Sequence, residues 1–265
     1  MRVENFMIRV VFNRKGGVGK SSIACNLAAV SASQGYKTLL LDLDTQANST
    51  SYLGHDSKDD VAGIAEFFES LISYKYRDFL SKDFVRSTEF ENLFLISADA
   101  TLSDLEQKLE SRHKIYKLRD FLKELNNEFE QIFIDTPPAL NFFSLSALIA
   151  ADRCLIPFDC DAFSRDALLD LLLSIDEIKE DHNDSLEIEG VVINQYQSRA
   201  KIPQAAVEEL KSIDLNILQP YLSSSVKMKE SHASQKPLIH LAAKHKLSTE
   251  FIELFTNLNQ LEKSA

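Results

Sequence analysis

Residues 14–22 carry three glycines and two lysines in a spacing that suits the binding of phosphate groups. They read Arg-Lys-Gly-Gly-Val-Gly-Lys-Ser-Ser. Glycine has no Cβ atom, so the backbone can bend and turn its N–H groups toward phosphate oxygens. Lys20 is placed to reach the β- and γ-phosphates of a nucleotide, and Ser21 to offer a hydroxyl to Mg²⁺. The residues predicted to hold the nucleotide phosphates are Lys15, Gly16, Gly17, Val18, Gly19, Lys20, Ser21 and Ser22. The alternative is a glycine turn with two solvated lysines.

The start of this segment departs from the ordinary phosphate loop, whose pattern is G-x-x-x-x-G-K-[ST]. Arg14 occupies the position of the first glycine, and Lys15 follows it. A long cationic side chain at position 15 can reach across a face-to-face dimer to phosphates bound by a second subunit, much as an arginine finger does. The alternative is that Lys15 pairs with an acid of its own subunit and holds the loop.

A strand and a helix must position this loop, and the sequence predicts both. The run 7–12 is rich in β-branched residues and leads directly into the loop. After the loop, Ile23, Leu27 and Val30 form an apolar stripe at helical spacing, and Gly35 is suited to end the helix. The first turn of that helix offers N–H groups and a favourable dipole to an anion. This strand–loop–helix context is the one that a phosphate loop requires.

Three aspartates lie where apolar strands are expected to end. Asp42 and Asp44 follow the run 39–41, and Asp135 follows the run 132–134. Ligands in open α/β sheets gather at the carboxyl ends of the strands, so these acids should point into the nucleotide site. An aspartate in the position of Asp135 commonly holds Mg²⁺ through a water molecule. The alternative, that the first two acids simply cap the next turn, suits Asp42 better than Asp44.

Four segments together resemble the ParA/MinD family of deviant Walker A ATPases. The loop has the family's form K-G-G-x-G-K-[ST], in which Lys15 is the signature lysine. Residues 41–48 resemble its first switch, D-x-D-x-Q-x-N, and residues 132–138 its second, in which apolar residues precede D-T-P-P. The tail 194–241 resembles I-N…P…V-x-x-x-x-S…G-x-P-[VI], except that Gln235 stands where glycine commonly precedes the Lys-Pro step. ParA-type partitioning ATPases are the closest members by this resemblance.

The resemblance also implies roles for particular residues. Asp44 polarises or positions the attacking water, whereas Asp42 is more structural. The residues expected to take part in catalysis are Lys15, Lys20 and Asp44. Those expected to serve the metal are Ser21, Asp44 and Asp135. Asn194 and Pro220 resemble positions that contact adenine, and no N-K-x-D guanine signature occurs in the sequence, so ATP with Mg²⁺ is the expected cofactor pair.

Apolar runs alternate with amphipathic helical segments along the chain. This pattern predicts an α/β fold with a doubly wound, mostly parallel sheet flanked by helices, and we expect residues 1–265 to form a single P-loop ATPase domain. Strands are expected at about 7–13, 37–42, 92–96, 131–135, 152–158, 187–194 and 215–220. Residues 60–90 fit this pattern least. Two interpretations of them stay open, a surface for a partner and a locally packed helical insertion.

Charge is unevenly distributed along the chain. The net formal charge is −11, which argues against a surface that coats nucleic acid all over. Between residues 199 and 246, however, eight Lys and Arg stand against four Asp and Glu, a net of +4. A local basic face suffices for weak, salt-sensitive contact with DNA phosphates. By resemblance the contacting residues are Arg199, Lys227 and Lys229, and the alternative is an ordinary solvated surface.

The resemblance thus implies a weakly active ATPase that forms a homodimer when ATP is bound and binds DNA without sequence preference. With a cargo-associated, ParB-like partner that stimulates hydrolysis, it would segregate or position a plasmid, a chromosome or a protein complex. We expect a cytoplasmic protein that associates with the nucleoid in its ATP state.

Two alternatives fit the sequence less well. A MinD-like membrane-cycling ATPase ends in a basic amphipathic helix, whereas residues 246–265 hold two lysines against three glutamates. We therefore expect no stable membrane anchoring. An iron–sulfur ATPase needs paired cysteines, and Cys25, Cys154 and Cys160 show no C-x-x-C spacing.

Overall fold

Strands and helices alternate along most of the chain. The computed structural model describes residues 6–54, 61–73, 80–160, 165–212 and 215–262. The strands are β1 (Met7–Val11), β2 (Thr38–Asp42), β3 (Arg86–Ser87), β4 (Leu93–Ile96), β5 (Gln131–Asp135), β6 (Arg153–Asp159), β7 (Glu187–Asn194) and β8 (Ile217–Leu218). The helices are α1 (Lys20–Ser33), α2 (Asn48–Tyr52), α3 (Ile64–Ser70), α4 (Leu102–Ser111), α5 (Lys117–Glu124), α6 (Phe142–Ala150), α7 (Arg165–His182), α8 (Lys201–Lys211), α9 (Val226–Ala233), α10 (Leu238–Leu241) and α11 (Lys246–Glu262), with a 3-10 helix at Ser81–Phe84.

The eight strands form one sheet, in the order β3-β4-β2-β5-β1-β6-β7-β8. Neighbouring strands are parallel except for β3 and β4, which pair antiparallel. The chain builds β2 to β5 on one side of β1 and β6 to β8 on the other, so the connecting helices cover both faces. The predicted α/β fold with a doubly wound, mostly parallel sheet is confirmed.

All seven predicted strands are present, and the last is the most reduced. Of the segment 215–220, only the two residues of β8 form a strand. The antiparallel edge strand β3 was not predicted, because two residues are too few to show alternation. Arg86 anchors this edge strand through a hydrogen bond of 2.6 Å from its Nη2 to the carbonyl oxygen of Val61.

Side chains of the central strands alternate between two hydrophobic layers. Val10 and Leu41 join the layer that includes α3 to α8, whereas Val11 and Leu40 point to the layer that includes α1, α10 and α11. All four side chains are fully buried. Because both faces of the sheet are covered, its central strands are nearly continuous apolar runs in the sequence.

The described part of the region 60–90 packs into the core as a helical insertion. It contributes Phe67 and Phe68 from α3 and Phe84 from the 3-10 helix, all buried. The ring centroids of Phe67 and Phe121 are 4.4 Å apart. This arrangement agrees with the interpretation of the region as a locally packed insertion.

The last helix, α11, lies with its apolar side against α1. Phe251, Leu254 and Phe255 are buried in the core layer that contains α1. Tyr36 meets Phe255 edge-on, with ring centroids 5.8 Å apart. In the described ranges, no helix is both long and apolar enough to cross a membrane.

Candidate nucleotide site

The phosphate loop links the end of β1 to the first residue of α1. Gly17 and Gly19 have φ angles of 79° and 93°, in the left-handed region that favours glycine. A Cβ atom at Gly19 would lie 2.2 Å from Nδ2 of Asn194, so a larger residue does not fit there. Gly19 is also the N-cap of α1 and has no side chain to cover the helix end. The N–H groups of the first turn therefore suit an anion.

The two lysines of the loop differ in burial. Lys20 is 6% exposed, and its Nζ donates a hydrogen bond of 2.8 Å to the carbonyl oxygen of Lys15. Burial lowers the pKa of Lys20, while the charges of Asp135 and Asp44 act in the opposite direction. Lys15 is exposed, and its backbone N–H donates to Oδ1 of Asn13 at 2.9 Å. Lys20 thus lies within the loop, whereas Lys15 lines a small pocket beside it together with Phe158 and Asp159. The contact of Lys15 with a second subunit stays a prediction.

The two acids at the end of β2 have different surroundings. Asp42 is fully buried; its Oδ1 accepts a hydrogen bond of 3.0 Å from the N–H of Asp44, and its Oδ2 accepts two from Thr50, at 2.8 and 2.9 Å. Burial, and then the charge of Asp135, raise the pKa of Asp42 to about 8. Asp44 lies in the wall of a cleft, and its Oδ1 accepts from the N–H of Gln46 at 3.0 Å. Asp42 is therefore placed to hold the turn, whereas Asp44 lines the cleft, and its part in catalysis stays a prediction.

Asp135, the last residue of β5, lies beside Asp42 in the neighbouring strand. Its Oδ2 accepts a hydrogen bond of 2.7 Å from Ser49, whereas its buried Oδ1 has no hydrogen-bond partner among the described residues. Burial raises the pKa of Asp135 to about 6, against the effect of hydrogen bonds from Ser21 and Ser49. A buried carboxylate oxygen without a donor, next to a serine hydroxyl, fits the oxygen ligands that Mg²⁺ prefers. The structure thus brings two of the three predicted metal residues, Ser21 and Asp135, together, and the charge of the third, Asp44, also acts on Asp135.

A cleft lies between the phosphate loop, the first switch and α9. Its lining residues are Gly16, Gly17, Gly19, Lys20, Ser21, Ser22, Asp44, Gln46, Asn48, Pro138 and His232. Gln46, Asn48 and Pro138 fall within the switch motifs, although the sequence assigned them no individual role. His232 was not predicted, because it lies 210 residues after its contact Ser22 and no local pattern marks it.

Asn194 and Pro220, the positions expected to contact adenine, lie near the ends of β7 and β8. Asn194 is 9% exposed, and its Nδ2 donates a hydrogen bond of 3.0 Å to the carbonyl oxygen of Val18. Pro220 is half-buried and follows a cis peptide bond with Gln219. Asn194 therefore supports the phosphate loop directly, and the adenine contact of both residues stays a prediction.

The residues expected to contact DNA lie on two neighbouring segments. Arg199 is exposed in the loop between β7 and α8, and Lys227 and Lys229 lie on α9. A backbone bridge joins the two segments just before α9. Lys229 is exposed, whereas Lys227 forms an ion pair with Glu230. Arg199, Lys227 and Lys229 are called the basic edge below.

The sheet topology and the glycine loop define a protein of the P-loop class. A family model described as an AAA domain matches residues 7–188. Chromosome partitioning protein ParA from Myxococcus xanthus is 33% identical over 246 residues, which cover 92% of this chain and 84% of that protein. The chain belongs to the ParA/MinD family of P-loop ATPases, as its motifs predicted.

Solved structures share the fold over nearly the whole chain. Cobyrinic acid a,c-diamide synthase from Mycobacterium smegmatis, with bound ADP and magnesium, has a TM-score of 0.84 at 24% identity, over 98% of this chain and 96% of that one. An ATP complex of a McdA variant from Cyanothece has a TM-score of 0.83 at 25% identity, over 97% of both chains. Both comparisons agree with the doubly wound sheet described above.

Proposed function

We propose that the protein is an ATPase of the partitioning type. It binds ATP with Mg²⁺ and dimerises in that state, and the dimer binds DNA without sequence preference. A cargo-associated, ParB-like partner stimulates hydrolysis and releases the dimer from DNA, and the cycle positions or segregates the cargo. The observation that carries the proposal is that Lys20 and Asp44 line one cleft with the glycines of the phosphate loop, while buried Asp135 lies close enough for its charge to act on Lys20.

Hydrolysis needs a positioned water molecule and neutralised phosphate charge. Ser21, Asp44 and Asp135 would hold Mg²⁺, which would supply positive charge to the phosphate oxygens. Lys20 supplies a second positive charge from within the loop. Asp44 accepts a hydrogen bond from the attacking water, and the turn that Asp42 caps holds Asp44 in place.

Lys15 links nucleotide state to assembly in this proposal. It is exposed, and a long cationic side chain can reach phosphates bound by a facing second subunit. Such a contact exists only in the dimer. An isolated subunit lacks this contact and therefore hydrolyses ATP slowly. ATP favours the dimer because both subunits contact the phosphates of each bound ATP.

The basic edge is the proposed DNA contact. Three positive side chains per subunit neutralise few phosphates, so binding by one subunit is weak and sensitive to salt. A dimer presents two such edges on one body, and its affinity rises through avidity without any new contact. Dimerisation on ATP would therefore switch DNA binding on.

The alternative is a MinD-like membrane-cycling ATPase, in which a basic amphipathic helix binds the lipid surface. In this chain the apolar side of α11 is already in the core, where Phe251, Leu254 and Phe255 are buried. The helix would have to leave the core in order to bind lipid. This function therefore ranks second.

Co-sedimentation with DNA and with vesicles tests the proposal. Retention of the apo, ADP and ATP forms is measured on two duplexes of unrelated sequence and on vesicles that contain phosphatidylglycerol. We expect the ATP form to be retained on both duplexes at least about tenfold more strongly than the ADP form. Equal retention of the three forms, or ATP-dependent retention on vesicles in place of DNA, would contradict the proposal.

A further inference from the structure

His232, near the end of α9, lies in the wall of the nucleotide cleft. Its Nε2 atom is 2.8 Å from Oγ of Ser22, in the first turn of α1. Its ring stacks on Tyr52, with ring centroids 3.9 Å apart and an angle of 19° between the planes. Burial lowers the pKa of His232 and so favours the neutral ring. A neutral imidazole has one donor and one acceptor nitrogen.

A buried polar network surrounds this contact and joins four helices, α1, α2, α9 and α10. The hydroxyl of Tyr52 lies 2.5 Å from Oγ of Ser231 on α9 and accepts a hydrogen bond of 3.0 Å from Nδ2 of Asn26 on α1. Asn26 also donates to the carbonyl oxygen of Ser22 at 2.8 Å and accepts from the N–H of Leu238 at 2.8 Å. The end of α9 is therefore held by buried polar contacts with α1 and α2.

Helix α2 connects the same network to the acids of the site. Near its start, Ser49 donates a hydrogen bond to Asp135, and at its last residue Tyr52 stacks on His232. The helix has five residues, so little more than one turn separates its two ends. A shift in the position of Asp135 can therefore be transmitted to α9 through this one short helix.

We propose that His232 is a positioning residue that couples occupancy of the phosphate cleft to the orientation of α9, the helix that carries Lys227 and Lys229. The coupling itself needs only the cleft and α9. Its consequence for DNA rests on the function proposed above.

The two tautomers of His232 explain how a ligand can bias the coupling. When Nε2 carries the proton, it donates to Oγ of Ser22, and the serine hydroxyl can donate its own proton to a phosphate oxygen. In the other tautomer, Nε2 accepts that proton, and the serine has none to offer the phosphate. A bound phosphate therefore favours one tautomer and one ring position, which is the differential interaction that a population shift requires.

Hydrogen exchange of the α9 amides tests the coupling without DNA. In the parent protein, we expect Mg²⁺ with a non-hydrolysable ATP analogue to slow exchange in the peptide 226–233 about five- to tenfold. His232→Phe keeps a ring on Tyr52 but loses the hydrogen bond, and the slowing should fall below about twofold. Its affinity for the analogue should weaken less than about tenfold, as for one lost hydrogen bond. His232→Gln keeps a donor and an acceptor and should retain an intermediate part of the effect.

The matched control is His240→Phe, because His240 also stacks on an aromatic ring, that of Phe90, with centroids 4.4 Å apart and planes at 20°. It does not line the cleft, so this variant should behave like the parent. Ser22→Ala removes the same hydrogen bond from its other end, and combining it with His232→Phe should cause no further loss of slowing. Thermal unfolding of each variant shows that the fold is kept.

Three results would overturn the coupling. These are unchanged slowing in His232→Phe, no effect of the analogue on α9 in the parent, and complete loss of analogue binding in His232→Phe, which would make His232 a ligand of the nucleotide. A parent protein that shows the coupling but binds no DNA in its ATP form would instead refute the proposed DNA function and leave the coupling standing.

Discussion

The nucleotide cleft and the basic edge differ in how firmly the fold holds their charged side chains. At the cleft and directly beneath it, Asp42 accepts three hydrogen bonds, Lys20 donates to the loop carbonyl of Lys15, and Asp135 accepts from Ser49 on α2. At the basic edge, Arg199 and Lys229 are exposed. Buried charges must be fixed by partners, whereas exposed charges keep their freedom at little cost. The cleft is thus organised for one ligand geometry, whereas the basic edge suits the proposed binding of DNA without sequence preference.

Lys20→Ala should have the broadest effect, because it removes a buried cation needed for ATP binding, on which every later step depends, while the glycines of the loop remain. The affinity for ATP should fall by at least about a hundredfold, as for other buried charge partners. Titration with a fluorescent ATP analogue measures this loss, and Lys123→Ala, on an exposed part of α5, is the matched control. Near-parent affinity in Lys20→Ala would rule out the assigned site.

Asp44→Ala should bind ATP and dimerise but hydrolyse ATP roughly 10²- to 10⁴-fold more slowly, since the positioned acceptor for water is lost. The variant should accumulate as a nucleotide-bound dimer in size-exclusion chromatography with ATP. Asp42→Asn is the contrasting change, because it disturbs three hydrogen bonds and should lower the melting temperature, which Asp44→Ala leaves near that of the parent. Turnover at the parent rate in Asp44→Ala would identify Asp44 as a structural cap.

Lys15→Gln separates contacts within the subunit from contacts between subunits. It should keep ATP binding by the monomer, while ATP-dependent dimerisation, hydrolysis or both fall by about a hundredfold. Mixing Lys15→Gln with Asp44→Ala subunits should restore part of the activity, because one site of each mixed dimer then has both residues. A Lys15→Gln protein that dimerises on ATP and responds normally to stimulation would refute the contact in trans.

The crowding of Asp42 and Asp135 at the ends of β2 and β5 predicts a pH dependence of stability. The pKa of Asp42 is about 8 in the folded protein, against about 4 in an unfolded chain. The folded state therefore binds this proton more tightly, and the stabilisation is complete below about pH 4 and is lost as the pH rises to about 8. Relative to Asp42→Asn, which cannot titrate, the parent's free energy of unfolding should fall by on the order of a few kcal/mol across this window. Parallel pH profiles for the two nucleotide-free proteins would contradict this.

Charge reversal at the basic edge should have the smallest effect. Lys229→Glu and Arg199→Glu should each weaken DNA binding roughly tenfold and make the salt dependence shallower by about one unit, with ATP affinity unchanged. Lys227→Glu should cause a smaller loss, since Lys227 already pairs with Glu230. Lys123→Glu makes the same change of charge elsewhere on the surface. An equal loss in that control would show a general effect of net charge in place of a local contact.

Local patterns were enough to predict most of the residues that the structure brings together around the cleft. The glycine loop, the acids of 41–48 and the acid of 132–138 each lie within a few residues of a strand end, where turn chemistry marks them. The central strands were predicted because burial on both faces makes their sequences nearly continuous in apolar residues. The edge strand β3 lacks both signals, and only its pairing with β4 and the anchor from Arg86 identify it.

By itself, the sequence determined that glycine is needed at position 19, that a phosphate loop begins α1, and that acids follow the strands beside it. Only the tertiary structure decided that Asn194 covers Gly19 and that His232 reaches Ser22 across 210 residues. The physical reason is that local residue types encode backbone conformation and burial over a few residues. Contacts between distant segments depend on the order of strands in the sheet and on which helix faces each layer, and no local period contains that order.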